Sequence, residues 1–554
     1  MMSRWLCFRI SMCVVILLAA GERYSRQGHE FEQRRSTSYD DLVVLFHDWR
    51  TFQKPKLANG IPDYSVKAMG AQREGLVSYQ KRLAAIDPGL WPIPQQVDYQ
   101  LVRAEMNGLD FDHRIKRPWA RSPSFYVMFY PSRSDQPLRE GAHVDDTIEL
   151  WTFLPLTEQH AAALAAHLQT VPKVLDQAKV NLVENCHDLW VLGIRDMRQQ
   201  SQELAAFATT IASSHPDLMP EVQRARDATD QFVVWLEREL PSKTGPSGIG
   251  VDNYTWYLNN VQLVPYTWAD ELALLNSELA RGEAALKLEE FHDRNLPPLK
   301  PINTEQEYRK RFDAAVMEYM ESLRSRDVLT IRNYMEPALR ARGHFTPPDQ
   351  YEFFNQVNDR DPIVMLAHDF HWWDLAQMES DPHPSPIRRE ALLYNIFDSR
   401  TEGFASAMEE MMLDAGLYDS RPRVRELIYA IVVERCAVAL GDLRMASNEL
   451  SIEQAVKLAS SLTPHGWLSE TSDGVWGADG EGLYLTQPTY GTSYTVGKIE
   501  ILGLMGDRAR ELGDAFTLKR FLDEFTGSGL IPVSLIRWEL TGQDDEIKRM
   551  ASRR

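Results

Sequence analysis

Apolar residues recur every three or four positions over most of this chain, which is the spacing of amphipathic α-helices. The pattern is almost continuous between residues 157 and 240, where Pro216 and Pro241 supply the main breaks. Proline ends a helix because it has no backbone N–H to donate and crowds the preceding turn. We therefore predict long helices joined by tight turns, two of them antiparallel, over Thr157–Ala178, Val180–Ser214 and Pro220–Leu240.

The same periodicity predicts further helices at Asp40–Phe52, Val66–Ile86, Gln96–Met106, Tyr266–Phe291, Glu305–Ala341, Val424–Asn448, Ser451–Leu462 and from Pro488 toward Gly513. Strand-like alternation is confined to short pieces such as Ser124–Tyr130. Two proline-rich patches, at residues 296–301 and 382–386, are short and lie between helical patterns, so they predict turns and not linkers. The prediction is a mainly α chain with one large domain over residues 39–548. A two-lobed arrangement, with the motif-bearing half starting near residue 300, stays open.

The first residues have the pattern of an export signal. Two arginines precede an apolar run that ends in Ala-Ala-Gly at residues 19–21, the kind of small residues that a signal peptidase requires. The run is shorter than the roughly 20 residues of a transmembrane helix. We expect a signal peptide over residues 1–21, with an uncleaved anchor as the alternative, and a disordered lead over residues 22–38. The mature chain is then periplasmic or secreted.

Composition limits the partners. The 79 acidic and 60 basic residues give a formal net charge of -19, whereas a nucleic-acid surface needs clustered Lys and Arg. We expect a small molecule or a peptide as substrate, no nucleic acid, and no membrane span beyond the N-terminal segment. Cys186 and Cys436 lie inside helical patterns, which favours a pair of buried thiols over a disulfide.

The densest group of potential metal ligands is the stretch LAHDFHWWDLAQM, residues 366–378. His368 and His371, at i and i+3 of one predicted helix, occupy neighbouring positions on one face and can share an ion. Asp374 cannot join both, because the stripe climbs about 9 Å over six residues. The pairs are therefore His368 with His371, or His371 with Asp374. Glu402 on the following helix can complete the site. The alternative is a half-buried helix whose histidines bond to carboxylates.

Several stretches, in order, resemble the bacterial family DUF eight-eight-five from about residue 40 to 545. They are GVDNYTWYLNNVQLVPYTWADEL, HDFHWWDLAQM, EGFASAMEE, PTYGTSYTVGKIEILGL and FLDEFTGSGLIPVSLI. The resemblance implies a large, helical, zincin-like fold related to all-helical metallopeptidases. The positions that match the family's motifs are His368, Glu402, Gly403, Glu409, Arg435, Asp442, Tyr494, Gly497 and Lys498. The chain departs from those motifs at Asp369, where Glu is usual, and at Asp374 and Ala446, where His is expected.

This resemblance favours an exported hydrolase of peptides or other amides that uses one divalent ion per chain, with zinc as the expected metal. A catalytic zinc keeps three protein ligands and one open position. The predicted ligands are His368, His371 and Glu402, with Asp374 as the alternate. Asp369 is the predicted general base for water, and Tyr494 the predicted donor to the developing oxyanion. Tyr266 and Lys498 are the predicted substrate contacts.

Two other classes of protein stay open. One is a non-catalytic helical binding or scaffold protein, in which Glu409 lies on a solvated face, Tyr494 is a core or groove aromatic and Lys498 pairs with an acid. The other is a di-iron helical oxidase, because Glu184-x-x-His187 and Glu289-x-x-His292 have the spacing that such bundles use. In a chain with 14 His and many acids, one or two such pairs are expected by chance.

Overall fold

The computed structural model describes residues 36–477 and 480–553. Helices account for 68% of it and strands for 2%, which confirms the predicted mainly α class. No helix in these ranges is long and apolar enough to cross a bilayer. The predicted signal peptide and most of the predicted disordered lead lie outside the described residues. The zincin relationship and the extent of one domain stay predictions.

The first helices follow the predicted pattern closely. They are α1 (Tyr39–Phe52), α2 (Val66–Ala84), α3 (Ile93–Phe111) and the short α4 (Pro118–Arg121). Two small ladders accompany them. The strand β1 (Leu57–Ala58) pairs antiparallel with β2 (Ile61–Pro62), and β3 (Phe129–Tyr130) pairs in parallel with β4 (Ile148–Glu149). Of the predicted strand Ser124–Tyr130, only the last two residues therefore form a strand.

The continuous helix predicted over Thr157–Ala178 is wrong. It is two helices, because Pro172 lies in the first turn of the second, where its missing N–H costs nothing. The helices of this part are α5 (Glu158–Leu168), α6 (Val171–Asn181), α7 (His187–Ile211) and α8 (Met219–Glu239). Helices α7 and α8 pack along one another, as the tight turn near Pro216 predicts.

The next part contains α9 (Val251–Tyr257), α10 (Trp268–His292), α11 (Glu305–Ser325), α12 (Met335–Arg340), α13 (Phe353–Asn358), α14 (Ile363–His368) and α15 (Phe370–Ser380). The single helix predicted over Glu305–Ala341 is wrong, because residues 326–334 leave the helical path. Within them the Thr330 N–H donates to Asp523 Oδ1 at 2.8 Å, and its hydroxyl donates to Oδ2 at 2.6 Å. The carboxylate of Asp523, which is distant in sequence, thus accepts the hydrogen bond that the Thr330 N–H would donate to a carbonyl oxygen in a helix.

The C-terminal part holds α16 (Asp398–Asp414), α17 (Val424–Ala446), α18 (Ile452–Leu462), α19 (Asp473–Trp476), α20 (Glu481–Thr486), α21 (Tyr490–Leu512), α22 (Leu518–Gly527), α23 (Val533–Thr541) and α24 (Asp545–Ser552). Buried apolar side chains form two clusters. The smaller core lies within residues 61–236 and is built mainly from α5 to α8. The larger core joins α1 and α3 to the helices after residue 249. Cys186 and Cys436 are buried free thiols, as predicted.

Helices α16 and α21 cross in close contact at a pair of glycines. A Cβ added to Gly497 would lie 2.1 Å from the carbonyl oxygen of Ser399, and one added to Gly403 would lie 2.5 Å from the Cα of Gly497. Both distances are far below a real carbon contact, so only glycine permits this approach. The crossing sets the position of Glu402, which is the neighbour of Gly403.

We expect Gly497→Ala to destabilise the protein by about 1–3 kcal/mol, because its methyl group must push backbone and not a flexible side chain. Gly503→Ala on the same helix is the matched control, since a Cβ there meets nothing within 4 Å. That control should be neutral or stabilising by up to about 1 kcal/mol through helix propensity. Urea unfolding of the two variants measures the difference, and equal stabilities would contradict the close crossing.

Candidate metal centre

The two predicted histidine ligands flank a break in the helical backbone. His368 is the last residue of α14, His371 lies in the first turn of α15, and Asp369 between them has φ -61° and ψ 15°. The single helix predicted through these residues is therefore wrong at Asp369. The imidazole centroids are 5.0 Å apart and the rings are inclined at 77°. The two rings are neighbours even though they belong to different helices.

Glu402 of α16 brings a carboxylate to these rings. One ligand atom from each of His368, His371 and Glu402 lies within 4.8 Å of the others. In the ranges that the structure describes, this is the one group of three or more His, Cys, Asp or Glu side chains with such spacing. We call these three residues the His-His-Glu cluster. The structure thus brings together the three ligands predicted from the sequence, while their role in binding a metal stays a prediction.

The donor atoms of the cluster fit a divalent cation. His371 Nε2 lies 3.2 Å from Glu402 Oε2, close to the roughly 3.4 Å between two ligands of a tetrahedral zinc with bonds near 2.1 Å. Both side chains are buried, and these two atoms have no hydrogen-bond partner among the described residues other than each other. A cation that takes the place of the His371 proton would be bound by both atoms.

The other oxygen of Glu402 is held by protein donors. Gln136 Nε2 donates to Glu402 Oε1 at 2.7 Å, and the Tyr490 hydroxyl donates to the same oxygen. Gln136 Nε2 also lies 3.3 Å from His371 Nδ1. Hydrogen bonds from an outer layer of residues orient metal ligands in the same way. They leave Glu402 Oε2 as the oxygen that faces His371.

A buried ion pair between Arg435 and Glu409 contacts the Nδ1 side of the His368 ring. Arg435 Nη2 lies 3.1 Å from His368 Nδ1 and 3.1 Å from Glu409 Oε1, and that carboxylate oxygen lies 3.3 Å from His368 Nδ1. A guanidinium can only donate, so His368 Nδ1 accepts this hydrogen bond from Arg435, and the Arg435–Glu409 pair fixes the position of the ring. Glu409 is 1% exposed, so the solvated position expected for it in a binding protein is wrong.

The two histidines of the cluster differ in pKa, because their neighbours carry different charges. Burial acts to lower the pKa of His371, but the Glu402 carboxylate outweighs it and raises that pKa to about 9. Burial acts to raise the pKa of Glu402, and His371 lowers it to about 2. The pair therefore holds opposite charges, and an incoming cation would replace the proton on His371. Burial and the Arg435 charge lower the pKa of His368, which keeps that ring neutral as a ligand requires.

Two carboxylates that the sequence did not point to, Asp135 and Glu140, lie near the cluster, in addition to the predicted base Asp369. Burial raises the pKa of Asp135, and burial together with Asp135 raises the pKa of Glu140 to about 8. Burial raises the pKa of the predicted base Asp369 to about 6, against the opposing effect of Arg342, whose Nε lies 3.9 Å away. Asp135, Gln136 and Glu140 come from a loop far from the motifs in sequence, so no local spacing could have predicted them.

Three other predictions are not supported by the contacts. Both oxygens of Asp374 accept hydrogen bonds from Arg400, at 2.8 and 2.9 Å, so the alternate ligand is already engaged in a buried ion pair. Lys498 is buried and paired with Glu410 and with Glu278, the latter at 3.2 Å, so its charge is not available to a substrate.

Tyr266 also differs from its predicted role as a substrate contact. Burial, Glu500 and Glu546 raise its pKa, which places its hydroxyl among acids of α21 and α24. Its carbonyl oxygen accepts from the side chain of Asn259. These contacts connect Tyr266 to the C-terminal packing and not to the His-His-Glu cluster. The contacts therefore give no support to a role of Tyr266 as a substrate contact.

The two Glu-x-x-His pairs of the di-iron alternative do not form such a site in the described structure. Glu184 lies outside any helix and pairs with Arg117 at 2.7 Å. Glu289 pairs with Arg425 at 3.0 Å, and the His292 side chain is 80% exposed. A di-iron centre needs inward-facing carboxylates and histidines from facing helices. These side chains instead make surface and near-surface ion pairs.

Residues 371–540 match the model of a family described as a bacterial protein of unknown function, DUF885. This confirms the family resemblance over that region, which contains Glu402, Arg435 and Tyr494 and begins at His371. No curated protein matches the chain. The comparison therefore names a family and gives no activity.

Two solved structures share the fold over nearly the whole chain. One is a candidate lipoprotein of unknown function from Shewanella oneidensis, with 16% identity and a TM-score of 0.62. The other is a candidate lipoprotein from Colwellia psychrerythraea, with 14% identity and a TM-score of 0.63. Each comparison covers 91% of this chain and 99% of the other. At these identities the likeness concerns the fold alone.

Proposed function

We propose that this chain is a divalent-metal-dependent hydrolase of peptides or other amides. The observation that carries the proposal is the meeting of His368, His371 and Glu402, from three different helices, within 4.8 Å. Two histidines and one glutamate are the zinc ligands of one class of metallopeptidases. Zinc is accordingly the metal we propose, with one ion per chain.

The metal would polarise the amide carbonyl and increase the acidity of water at the site. Asp369 is the group we propose to take up the proton of the attacking water and to pass it to the leaving amine. With a pKa near 6, its carboxylate is ionised at neutral pH yet basic enough to accept a proton. Arg342 Nε lies 3.9 Å from Asp369 Oδ1, and the guanidinium lies 4.2 Å from the centre of the Trp372 ring.

Tyr494 is the proposed donor to the oxyanion. Burial and the nearby Glu402 charge raise the pKa of its hydroxyl, so the hydroxyl keeps its proton and can donate it in a hydrogen bond. The Arg435 guanidinium lies 4.8 Å from the centre of the Tyr494 ring and holds it in place. A fixed donor aimed at developing negative charge is among the largest contributions to amide hydrolysis.

We also propose that the protein is exported, as a periplasmic or a secreted chain. Support comes from the structural neighbours, which are described as candidate lipoproteins. The predicted signal peptide agrees with this location. A periplasmic chain and a fully secreted chain are the two forms of this proposal, and fractionation of the producing cells separates them.

A non-catalytic binding protein is the second candidate. The charges of the cluster already balance without an ion, because His371 and Glu402 carry opposite charges. In addition, Gln136 and Tyr490 donate hydrogen bonds to one oxygen of Glu402. Both observations favour this candidate. A buried ion pair of this kind can be retained as structure. Metal dependence of amide hydrolysis distinguishes the two candidates.

Hydrolysis of a fluorogenic peptide library should stop when the metal is chelated and return when zinc is added. We expect a loss of about a thousandfold or more, because polarisation of a carbonyl by an ion is worth several kcal/mol. Circular dichroism of the chelated protein is the control for unfolding. Undiminished hydrolysis by protein shown by elemental analysis to be metal-free would refute the proposal, and the absence of any hydrolysis by zinc-loaded protein would favour the binding protein.

A further inference from the structure

Two uncharged side chains from distant parts of the chain occupy one oxygen of Glu402. Gln136 Nε2 donates to Glu402 Oε1 at 2.7 Å, and the Tyr490 hydroxyl donates to the same oxygen. All three residues are buried, with at most 4% exposure. A carboxylate oxygen offers about two lone pairs to donors. Both lone pairs of Oε1 are therefore taken, and none is left for an ion.

The loop that carries Gln136 is held by contacts that do not involve Glu402. The Gln136 N–H donates to Ser134 Oγ at 2.9 Å. In the same loop Arg139 Nε lies 2.6 Å from Glu149 Oε1, on the strand β4. Because the loop has these contacts of its own, it presents the Gln136 amide to Glu402 from a fixed position.

Tyr490, the first residue of α21, is fixed by its aromatic neighbours. Its ring centroid lies 6.0 Å from that of Tyr484 and 5.7 Å from that of Tyr494. Burial and the Glu402 charge raise the pKa of its hydroxyl, so the hydroxyl keeps its proton and acts as a donor. Helices α16 and α21, which cross at their glycines, bring this hydroxyl to Glu402.

The remaining oxygen of Glu402 is the one that faces the cluster. Glu402 Oε2 lies 3.2 Å from His371 Nε2, whereas Oε1 is held by the two donors. Glu402 is thus arranged to give an ion one oxygen and not two. A single oxygen beside two histidine nitrogens suits four-coordinate zinc. Manganese prefers a larger set of oxygen ligands in octahedral geometry.

We infer that Tyr490 and Gln136 are positioning residues that restrict Glu402 to one ligand oxygen and thereby make the His-His-Glu cluster prefer zinc to manganese. The inference rests on the proposed function, because it concerns the ion proposed there. Neither residue is a ligand, and both act through Glu402. Without one of these donors, Oε1 has a lone pair free and can join Oε2 at the ion. The added oxygen ligand suits manganese better than zinc.

The test is competition between a chromophoric chelator and the metal-free full chain, first for zinc and then for manganese. Tyr490→Phe and Gln136→Met each remove a donor while nearly keeping the size of the side chain. We expect each variant to bind zinc about 10- to 100-fold more weakly, the usual cost of losing an outer-layer partner of a ligand. Manganese affinity should fall by less, so the ratio of zinc to manganese affinity should decrease by about fivefold or more.

Tyr266→Phe and Gln199→Met are the matched controls, because they make the same chemical changes elsewhere. Tyr266 lies among Glu500 and Glu546, and Gln199 donates to Glu203 at the surface at 3.1 Å. Both controls should bind the two metals as the wild type does. Melting temperatures show which variants are folded, and the two test variants report on the donors separately.

The outcomes distinguish this inference from the proposed function. Wild-type zinc affinity in either folded test variant would overturn the inference and leave the proposed function standing. An equal loss of affinity for zinc and for manganese would also overturn it, since it would show general damage to the site and no effect on preference. A wild-type chain that binds neither metal would overturn the inference and the proposed function together.

Discussion

Wild-type protein purified under zinc-replete conditions is expected to carry about one divalent ion per chain, and His368→Ala and Glu402→Ala to carry less than about a tenth of that. Each substitution removes one of the three ligand atoms that lie within 4.8 Å. Even loss of an outer-layer partner of a metal ligand costs roughly 10- to 100-fold in affinity, so loss of a ligand costs more. Elemental analysis after removal of free metal is the measurement.

Two variants serve as controls for this metal measurement. Glu289→Ala should keep the ion, because Glu289 pairs with Arg425 away from the cluster. Asp374→Asn should keep it as well, because that carboxylate is occupied by Arg400. Circular dichroism checks that all variants are folded. An empty wild-type site refutes the proposed function, and iron lost in Glu289→Ala would restore the di-iron alternative.

Tyr494→Phe is expected to keep its fold and its metal and to lose about a hundred- to thousandfold in turnover. One oxyanion donor contributes about 2.7–4 kcal/mol to the transition state. The ring itself stays in place, since its contact with the Arg435 guanidinium does not involve the hydroxyl. Because the interaction is made mainly in the transition state, kcat should fall with little change in KM.

Tyr266→Phe is the matched control for this loss of turnover. It removes the same atom from a tyrosine that lies among Glu500 and Glu546, and its hydrolysis should equal that of the wild type. If Tyr494 is only a core aromatic, its variant should change stability by about 1 kcal/mol through a lost hydrogen bond and leave turnover untouched. Unchanged kcat in Tyr494→Phe therefore removes this residue from the mechanism.

Most of the secondary structure was predictable because apolar periodicity is a local property. The helix predicted over Val424–Asn448 spans Val424–Ala446, and the one predicted over Tyr266–Phe291 spans Trp268–His292. The errors arise where a single feature overrides the pattern. Pro172 starts a second helix within the predicted helix Thr157–Ala178. Within the predicted helix Glu305–Ala341, the Thr330 N–H donates to Asp523 instead of to a helical carbonyl oxygen.

The sequence by itself determined the helical class and the three members of the His-His-Glu cluster, because repeated spacing and ordered motifs reside in neighbouring residues. Only the tertiary structure decided which other side chains meet them. Gln136 reaches Glu402 across 266 residues, and the same folding pairs Asp374 with Arg400 and Lys498 with Glu278 and Glu410. Of these contacts, the one between Lys498 and Glu410 joins α21 to α16, the helices that cross at their glycines. Such long-range packing is not encoded in local spacing.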